Sequence, residues 1–186
     1  MPSKDQSVGR GDDPSFRQQV VALLPKLRRF ARGLTGNVAD ADDLVQTACL
    51  KAIERAHQWT DGTRLDSWMY RIVHNQWLDD MRARKVRAVD AEADPDALIA
   101  DDGVARTEAN ITLDDVRKAM LNLPSEQRAV LVLVCIEGLA YKDAADSLGV
   151  PIGTVMSRLA RARQALGRAT GLTRVDGESG NVVKLV

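Results

Sequence analysis

The chain has 186 residues, enough for one ordinary domain or two small ones. Apolar residues make up 45% of it, which supports a buried core, whereas an aromatic content of 4% argues against the strands of a sandwich or barrel. The 26 basic and 26 acidic residues cancel in total but are segregated along the chain, a pattern compatible with a nucleic-acid partner.

The first predicted helix carries its apolar residues in steps of three and four between residues 16 and 34, the spacing of one buried helical face. Pro25 interrupts this pattern, so we expect a kink or a break there. The helix should end by Gly36, and a second helix is predicted to begin at Asp40 or Ala41.

A third helix is predicted from Asp66 or Ser67 to about Lys85. The residues expected on its core face are Tyr70, Val73, Trp77 and Met81. Its other face combines an aromatic ring, an amide and arginines, which suit a single nucleic-acid strand whose bases stack and whose phosphates pair with cations. That face comprises Trp68, Arg71, Ile72, Asn75, Asp79 and Arg82. The alternative is that Trp68 anchors the helix to a neighbouring helix.

The helical pattern disappears in the middle of the chain, where the segment Asp90–Asp102 contains six acidic residues and no basic one. We expect a flexible acidic linker there. The predicted division is a disordered N-terminus at 1–14, a first domain at 15–88, the linker at 89–109, a second domain at 110–170 and a tail at 171–186. The predicted fold class is all-α, with a bundle of three or four helices followed by a four-helix domain.

The second half begins with Thr112 and Asp115, which have the spacing of a capping box. The next helix carries the apolar run 130–136, a short helix spans Tyr141–Leu148, and a last helix runs from about Thr154 to Arg168.

Three residues indicate a helix-turn-helix. The small Ala145 lets two helices approach, Gly149 takes the turn, and the apolar Val155 packs the second helix onto the first. At 100° per residue, four apolar side chains of the last helix project within about 60° of one another, which defines a core face. These are Val155, Leu159, Ala162 and Leu166. The opposite side can reach phosphates and base edges in a major groove, through Thr154, Ser157, Arg158, Arg161 and Gln164. The alternative is the solvated basic face of an ordinary helical bundle.

The remaining features argue against a metal site, a redox site and a membrane anchor. Cys49 and Cys135 lie among apolar residues, so we expect buried free thiols, and with His57 and His74 they lack the spacing of metal ligands. The longest apolar run is too short for a bilayer, and the polar segment Met1–Asp13 has no apolar stretch typical of a signal peptide. A cytoplasmic location is therefore expected.

In this order, the segments resemble the extracytoplasmic-function (ECF) sigma factors of the sigma-70 family. Residues 42–46 (Asp-Asp-Leu-Val-Gln) and 68–72 (Trp-Met-Tyr-Arg-Ile) look like region 2 of that family. Leu123-Pro124, Glu137-Gly138-Leu139 and residues 153–163 look like region 4. The segment from Leu24 to Arg32 is also similar to the general-stress subgroup of alphaproteobacteria.

The resemblance implies a transcription initiation factor whose partners are core RNA polymerase, promoter DNA and an anti-sigma factor. It implies no enzyme activity, cofactor, metal, small-molecule substrate or membrane insertion. Residues facing the clamp helices of the large polymerase subunit would be Asp42, Asp43 and Gln46. Residues holding the −10 element would be Trp59, Trp68, Arg71, Ile72, Asn75 and Arg82. Residues contacting the −35 element would be Thr154, Ser157, Arg158, Arg161 and Arg163.

Three other functions remain open at this stage. A decoy with the same fold could bind an anti-sigma factor without reading promoters, although it would have little need for the arginines of the last helix. A dimeric DNA-binding regulator would leave the aromatic third helix and the acidic linker unexplained. An enzyme is disfavoured because the sequence contains no P-loop, no zinc-type histidine pair and no nucleophile with an orienting base.

Overall fold

The computed structural model describes residues 10–60, 62–90 and 112–171, and every regular element in these ranges is helical. The α-helices are α1 (Pro14–Thr35), α2 (Val38–Glu54), α3 (Leu65–Asp90), α4 (Leu113–Leu121), α5 (Ser125–Leu131), α6 (Tyr141–Leu148) and α7 (Ile152–Thr170). Short 3₁₀ turns at Arg10–Asp12 and Ala56–Gln58 precede α1 and follow α2. The all-α prediction is confirmed.

The first domain is a bundle in which α1, α2 and α3 pack pairwise against one another. Leu27 and Phe30 of α1 have no exposed surface, and the Phe30 ring meets Tyr70 of α3 edge-on with the ring centroids 5.2 Å apart. The small buried residues Ala48 and Ala52 let α2 lie close to its neighbours. The apolar stripes read from the sequence thus form one core.

The helix ends of this domain follow local capping chemistry. The Asp13 carboxylate accepts a hydrogen bond from a first-turn backbone N–H of α1, and α1 ends at Gly36 in the left-handed region (φ +82°). The side-chain oxygen of Asn37 accepts a hydrogen bond from the Asp40 N–H over 2.8 Å. Because Asn37 is the cap, α2 begins at Val38, two residues earlier than expected.

Two expectations for this domain need correction. Of the kink or break expected at Pro25, the break does not occur, because α1 continues through this residue. Pro25 is exposed, so the Val21 carbonyl that loses its helical donor lies on the side of the helix open to water. Met81 is 41% exposed rather than in the core, because α3 extends beyond the helices that cover its earlier turns, and side chains 81–87 are all exposed.

The predicted boundaries differ at two places. Residues 10–14, assigned above to a disordered N-terminus, form a 3₁₀ turn and the start of α1. The Arg17 guanidinium orders this turn by donating to the Gly11 carbonyl over 2.8 Å and pairing with Asp12. The predicted linker lies outside the described residues except for 89 and 90, which extend α3, and so does the tail after Gly171.

The second domain begins with the predicted capping box, which is confirmed. The Thr112 hydroxyl accepts from the Asp115 N–H, and the Asp115 carboxylate accepts from the Thr112 N–H. Helix α5 continues into a π-helical turn at Val132–Ile136, which contributes the fully buried Val132 and Leu133 to the core. Gly138 (φ +71°) then reverses the chain.

Helices α6 and α7 form the predicted helix-turn-helix. Gly149 occupies the left-handed region (φ +66°) between them, and Val155 of α7 is fully buried against α6 and its neighbours. Ala140 precedes α6 without any side-chain cap, as expected for a residue that lacks a hydroxyl.

The two domains pack directly against each other, with α1 and α3 facing α4, α5, the π-helical turn and α6. A Cβ atom at Gly33 of α1 would lie 2.7 and 2.8 Å from the two methyl groups of Val132, closer than real Cβ contacts. A Cβ atom at Gly36 would lie 2.6 Å from Leu121. The buried residues of both domains therefore form one continuous apolar core.

Within the described residues, no helix combines the length and apolar character needed to cross a membrane.

The turn glycine generates a stability prediction. Gly149→Ala should lower the free energy of unfolding by about 1 kcal/mol, because alanine is strained at positive φ. The matched control is Gly153→Ala, since neither position has a neighbouring atom within 4 Å of an added Cβ but Gly153 is helical. Chemical denaturation followed by circular dichroism measures both. Equal midpoints for the two variants would contradict the assigned turn.

Candidate nucleic-acid interface

Helix α7 presents one polar side to solvent. Its predicted core face is confirmed, since Val155, Leu159 and Ala162 are buried and Leu166 is partly buried against the core. On the other side Ser157 and Arg161 are exposed. Among the predicted −35 residues, Thr154 is half-buried at the start of this face and Ser157 donates a hydrogen bond to its carbonyl. Hydroxyl and guanidinium donors on an exposed helical face are groups that can reach phosphates and base edges in a major groove.

Arg158 lies on the same side but is held inward. Only 20% of its side chain is exposed, and its guanidinium pairs with Glu126 of α5. The structure therefore places Arg158 at the edge of this polar side rather than at its centre.

Arg163 does not join this group. It lies two residues beyond Arg161, about 200° further around the helix at 100° per residue. Its guanidinium donates to the Cys135 thiol over 3.7 Å. Cys135 itself is exposed, which corrects the expectation that both cysteines are buried; Cys49 is half-buried, and both thiols are free.

Helix α3 carries the predicted −10 residues in two different settings. Arg71, Asn75 and Arg82 are exposed along one stripe, four and seven residues apart. Arg82 makes an ion pair with Asp79 one turn earlier, and both partners remain mostly exposed. This stripe can reach the phosphates of a strand laid along α3.

The two tryptophans assigned to the −10 site belong to the core. Trp59 is 7% exposed, and its ring centroid lies 5.7 Å from that of Phe16. Trp68 is half-buried and meets Phe16 edge-on at 6.3 Å, and Ile72 is also partly buried. The alternative that Trp68 anchors α3 to α1 agrees with this placement.

The predicted polymerase-facing residues lie on α2. Asp43 and Gln46 are exposed, one turn apart, and the exposed Leu50 continues the same stripe. Asp42 is turned aside and pairs with Arg28 of α1 over 3.2 Å. The structure thus brings Asp43 and Gln46 together and separates Asp42 from them.

One end of the α3 stripe contacts the second domain. The Arg71 guanidinium donates to the backbone carbonyl of Asp146 in α6. Arg64, just before α3, pairs with Asp66 in the first turn of α3 and with Asp143 of α6. These two carboxylates raise the pKa of the Arg64 guanidinium, which therefore stays charged.

A short distance from these pairs, a buried carboxylate holds the two domains together. The Glu137 side chain has no exposed surface and accepts two hydrogen bonds from Arg29, over 2.6 and 2.7 Å. The Tyr70 hydroxyl donates a third over 3.1 Å. Burial and the neighbouring Glu137 raise the pKa of the Tyr70 phenol, so that it remains a donor at neutral pH.

Arg128 of α5 forms a second anchor between the domains. Its guanidinium donates to the Leu34 carbonyl near the end of α1 over 2.6 Å and to the carbonyls of Leu121 and Leu123. It also lies over the Trp77 ring of α3, 5.6 Å from the centroid. Arg117 donates to the Gly36 carbonyl, so two cations meet the C-terminal end of α1.

Comparison with known proteins identifies the two domains. The family models described as Sigma-70 region 2 and Sigma-70, region 4 match residues 20–87 and 113–166. The ECF RNA polymerase sigma factor EcfG of Rhodopseudomonas palustris is 36% identical over 164 residues, which cover 88% of this chain and 87% of EcfG. SigM of Mycobacterium tuberculosis is 38% identical over 166 residues, with 87% and 80% covered.

The chain belongs to the ECF sigma factors. A solved relative agrees: the sigma factor RpoE from Bartonella quintana, in complex with the anti-sigma factor NepR, matches this sigma factor with a TM-score of 0.71 and 31% identity. The match covers 86% of this chain and 99% of that one.

Sequence reasoning did not assign Arg64, Arg128 and Glu137 a structural role between the domains. For Glu137 a signal existed, because a carboxylate directly after the apolar run 129–136 has to find partners when that run is buried. Within the residues that the structure describes, no group of three or more potential ligands could hold a metal ion.

His74 of this sigma factor is buried on α3, and its ring lies 6.1 Å from that of Trp77. Burial and, to a smaller extent, the charge of Arg158 lower the pKa of His74 from 6.5 to about 4, while a hydrogen bond with Asn75 and the charge of Glu126 oppose the shift. The unfolded chain binds a proton there below pH 6.5, whereas the folded chain stays neutral until about pH 4.

The free energy of unfolding should therefore fall as the pH is lowered from about 6.5 to about 4. In His74→Gln this dependence should be shallower than in the wild type, while His57→Gln, which changes an exposed histidine, should keep the wild-type slope. Denaturation midpoints across this pH range test the prediction. A His74→Gln slope equal to that of the wild type would refute it.

Proposed function

We propose that this ECF sigma factor binds core RNA polymerase and directs it to promoters with −35 and −10 elements. The observation that carries the proposal is the exposed polar face of α7 in a helix-turn-helix within the region 4 match. A basic helix of this kind enters the major groove and reads base edges. The polymerase then performs the chemistry, and the sigma factor supplies promoter recognition and strand capture.

We assign −35 recognition to Thr154, Ser157 and Arg161, with Arg158 at the edge of the face. The exposed residues Arg71, Asn75 and Arg82 of α3 would hold the melted −10 strand, because guanidinium groups pair with phosphates and an amide can bond to an extruded base. Unstacking a base costs a few kcal/mol, so a pocket that offsets this cost discriminates between bases.

Asp43 and Gln46 of α2 are proposed to contact the clamp helices of the large polymerase subunit. Control by an anti-sigma factor is proposed by analogy, since RpoE from Bartonella quintana was solved in complex with NepR. A factor that works with the polymerase on chromosomal promoters acts in the cytoplasm.

Run-off transcription with core polymerase on a pool of promoter fragments tests the function as a whole. Transcripts that appear only when the protein is added would establish a sigma factor and identify its promoter. If no transcript appears although the protein binds an anti-sigma factor, the decoy function replaces this proposal.

The recognition helix is tested by alanine substitutions. Arg161→Ala should reduce −35-dependent transcription about fivefold or more, because loss of a good base contact costs about 1–3 kcal/mol. Arg158→Ala should also reduce it. Binding to core polymerase should be unchanged in both variants. Arg163→Ala removes an arginine from the other side of the same helix and should transcribe like the wild type. Equal losses in Arg161→Ala and Arg163→Ala would contradict the assigned face.

The polymerase contact is tested on α2. Asp43→Lys should weaken binding of the sigma factor to core polymerase, measured by competition with a labelled sigma factor, because it reverses an exposed charge in the proposed contact. The control is Glu54→Lys, which makes the same charge reversal at the exposed last residue of α2. At 1.5 Å per residue this position lies about 16 Å further along the helix. A lysine suits the C-terminal end of a helix, so the control should remain folded. Wild-type binding by Asp43→Lys would remove this residue from the contact.

A further inference from the structure

We propose that Met156 of α7 selects a thymine in the −35 element by packing against the C5 methyl group of that base. The inference rests on the proposed function, because it takes α7 as the helix that enters the major groove. To the polar contacts assigned above it adds a residue that distinguishes one base by apolar contact.

The first two turns of α7 carry two exposed apolar side chains. Ile152 is 49% exposed and Met156 is 53% exposed. Residues four apart are neighbours on a helix, and a helical methionine leans towards the N-terminus, so the two side chains form one surface patch. The core of the domain takes Val155 and Leu159 from the adjoining side of α7. The fold thus leaves the patch of Ile152 and Met156 open to solvent.

This apolar patch borders the polar side of α7. At about 100° per residue, Met156 lies about 100° around the helix from Ser157, with Gly153 and Ala160 between them. Both small residues are exposed. The middle of the exposed surface therefore lets a base edge approach the helix closely, with Met156 on one flank and Ser157 and Arg161 on the other.

Gly153 supports a close approach of this kind. Its φ is not positive, and an added Cβ atom would meet no atom within 4 Å. Neither the backbone nor the packing of the described chain therefore requires a glycine, although glycine weakens a helix relative to alanine. Glycine is typical of places where a ligand comes close to the backbone, and here that ligand would be DNA.

The patch also lies where a recognition helix meets the bases. In helix-turn-helix proteins the N-terminal residues of that helix contact base edges, and Met156 lies in the second turn of α7. The next charged side chain on this flank is Arg163, seven residues further on, and its guanidinium donates to the Cys135 thiol. Apolar groups rather than charges therefore meet DNA on this flank.

The major groove offers an apolar side chain one suitable partner. All bases present hydrogen-bonding groups there, and thymine alone adds a methyl group. A thioether accepts hydrogen bonds weakly and donates none, so packing it against the polar edge of another base leaves donors or acceptors without partners. The flexible methionine side chain can follow the methyl group. Met156 therefore favours thymine and disfavours the other bases.

Replacement of thymine by uracil tests this contact, because it removes the methyl group and keeps every hydrogen-bonding group. Holoenzyme assembled from core polymerase and the full chain is assayed by run-off transcription on the promoter identified above. Each template carries uracil at a single thymine of the −35 element, on either strand. For the wild type, one of these substitutions should lower transcription about threefold to fivefold, the effect of one buried methyl group.

Met156→Ala and Met156→Gln should transcribe the thymine and uracil templates equally, because neither variant retains the apolar contact. The ratio between the two templates is internal to each variant, so it is independent of the variant's total activity. Alanine and glutamine both favour helix and Met156 is exposed, so circular dichroism should show wild-type folding. The matched control is Leu113→Ala, which removes an exposed apolar side chain from α4 and should keep the wild-type ratio.

The proposal is overturned if no uracil substitution in the −35 element affects the wild type, if the element contains no A·T pair, or if the Met156 variants keep the wild-type ratio. If Met156→Ala weakens binding to core polymerase and lowers transcription from both templates alike, the patch binds a protein instead. A wild type that directs no transcription from any promoter would refute the proposed function. A wild type that transcribes without sensitivity to uracil would remove this inference alone.

Discussion

The buried carboxylate of Glu137 is the constraint on which the arrangement of the two domains depends. A carboxylate without exposed surface needs cations and hydrogen-bond donors at its own position, and here they come from α1 and α3 of the other domain. The π-helical turn just before Glu137 brings Val132 against Gly33 in the same region. Polar pairing and apolar packing thus select the same orientation, and α3 and α7, the helices proposed to contact DNA, take their positions from it.

The electrostatics of the two packed domains differ from those of a simple basic groove. Arginines of both domains turn towards backbone carbonyls of the opposite domain, as Arg71, Arg117 and Arg128 do. These cations therefore have acceptors within the molecule. Binding of Arg71 to a phosphate, as proposed, would exchange one acceptor for another, and such exchange is sensitive to salt.

The elements of this fold can be predicted from the sequence better than their assembly. The Thr112 capping box and the Gly149 turn depend on neighbours within a few residues, and both were predicted correctly. Periodicity says which side of α3 is apolar but not where the covering helices stop, which is why Met81 was misplaced. The docking of the domains depends on contacts such as Arg29–Glu137, 108 residues apart. The local sequence shows that Glu137 needs a partner but does not identify Arg29 as that partner. The placement of Arg163 away from Arg161 could have been predicted, because two residues along α7 correspond to a rotation of about 200°.

Gly33 has a consequence for the diversity of chains that share this architecture. A glycine inside a helix costs about 1 kcal/mol relative to alanine, and here the cost is offset by the close approach of Val132. A relative with any side chain at the equivalent position, and a valine opposite it, can adopt this arrangement only if the atoms around that side chain shift. A single residue in the first domain thus limits which relatives can bring their two halves together in this way.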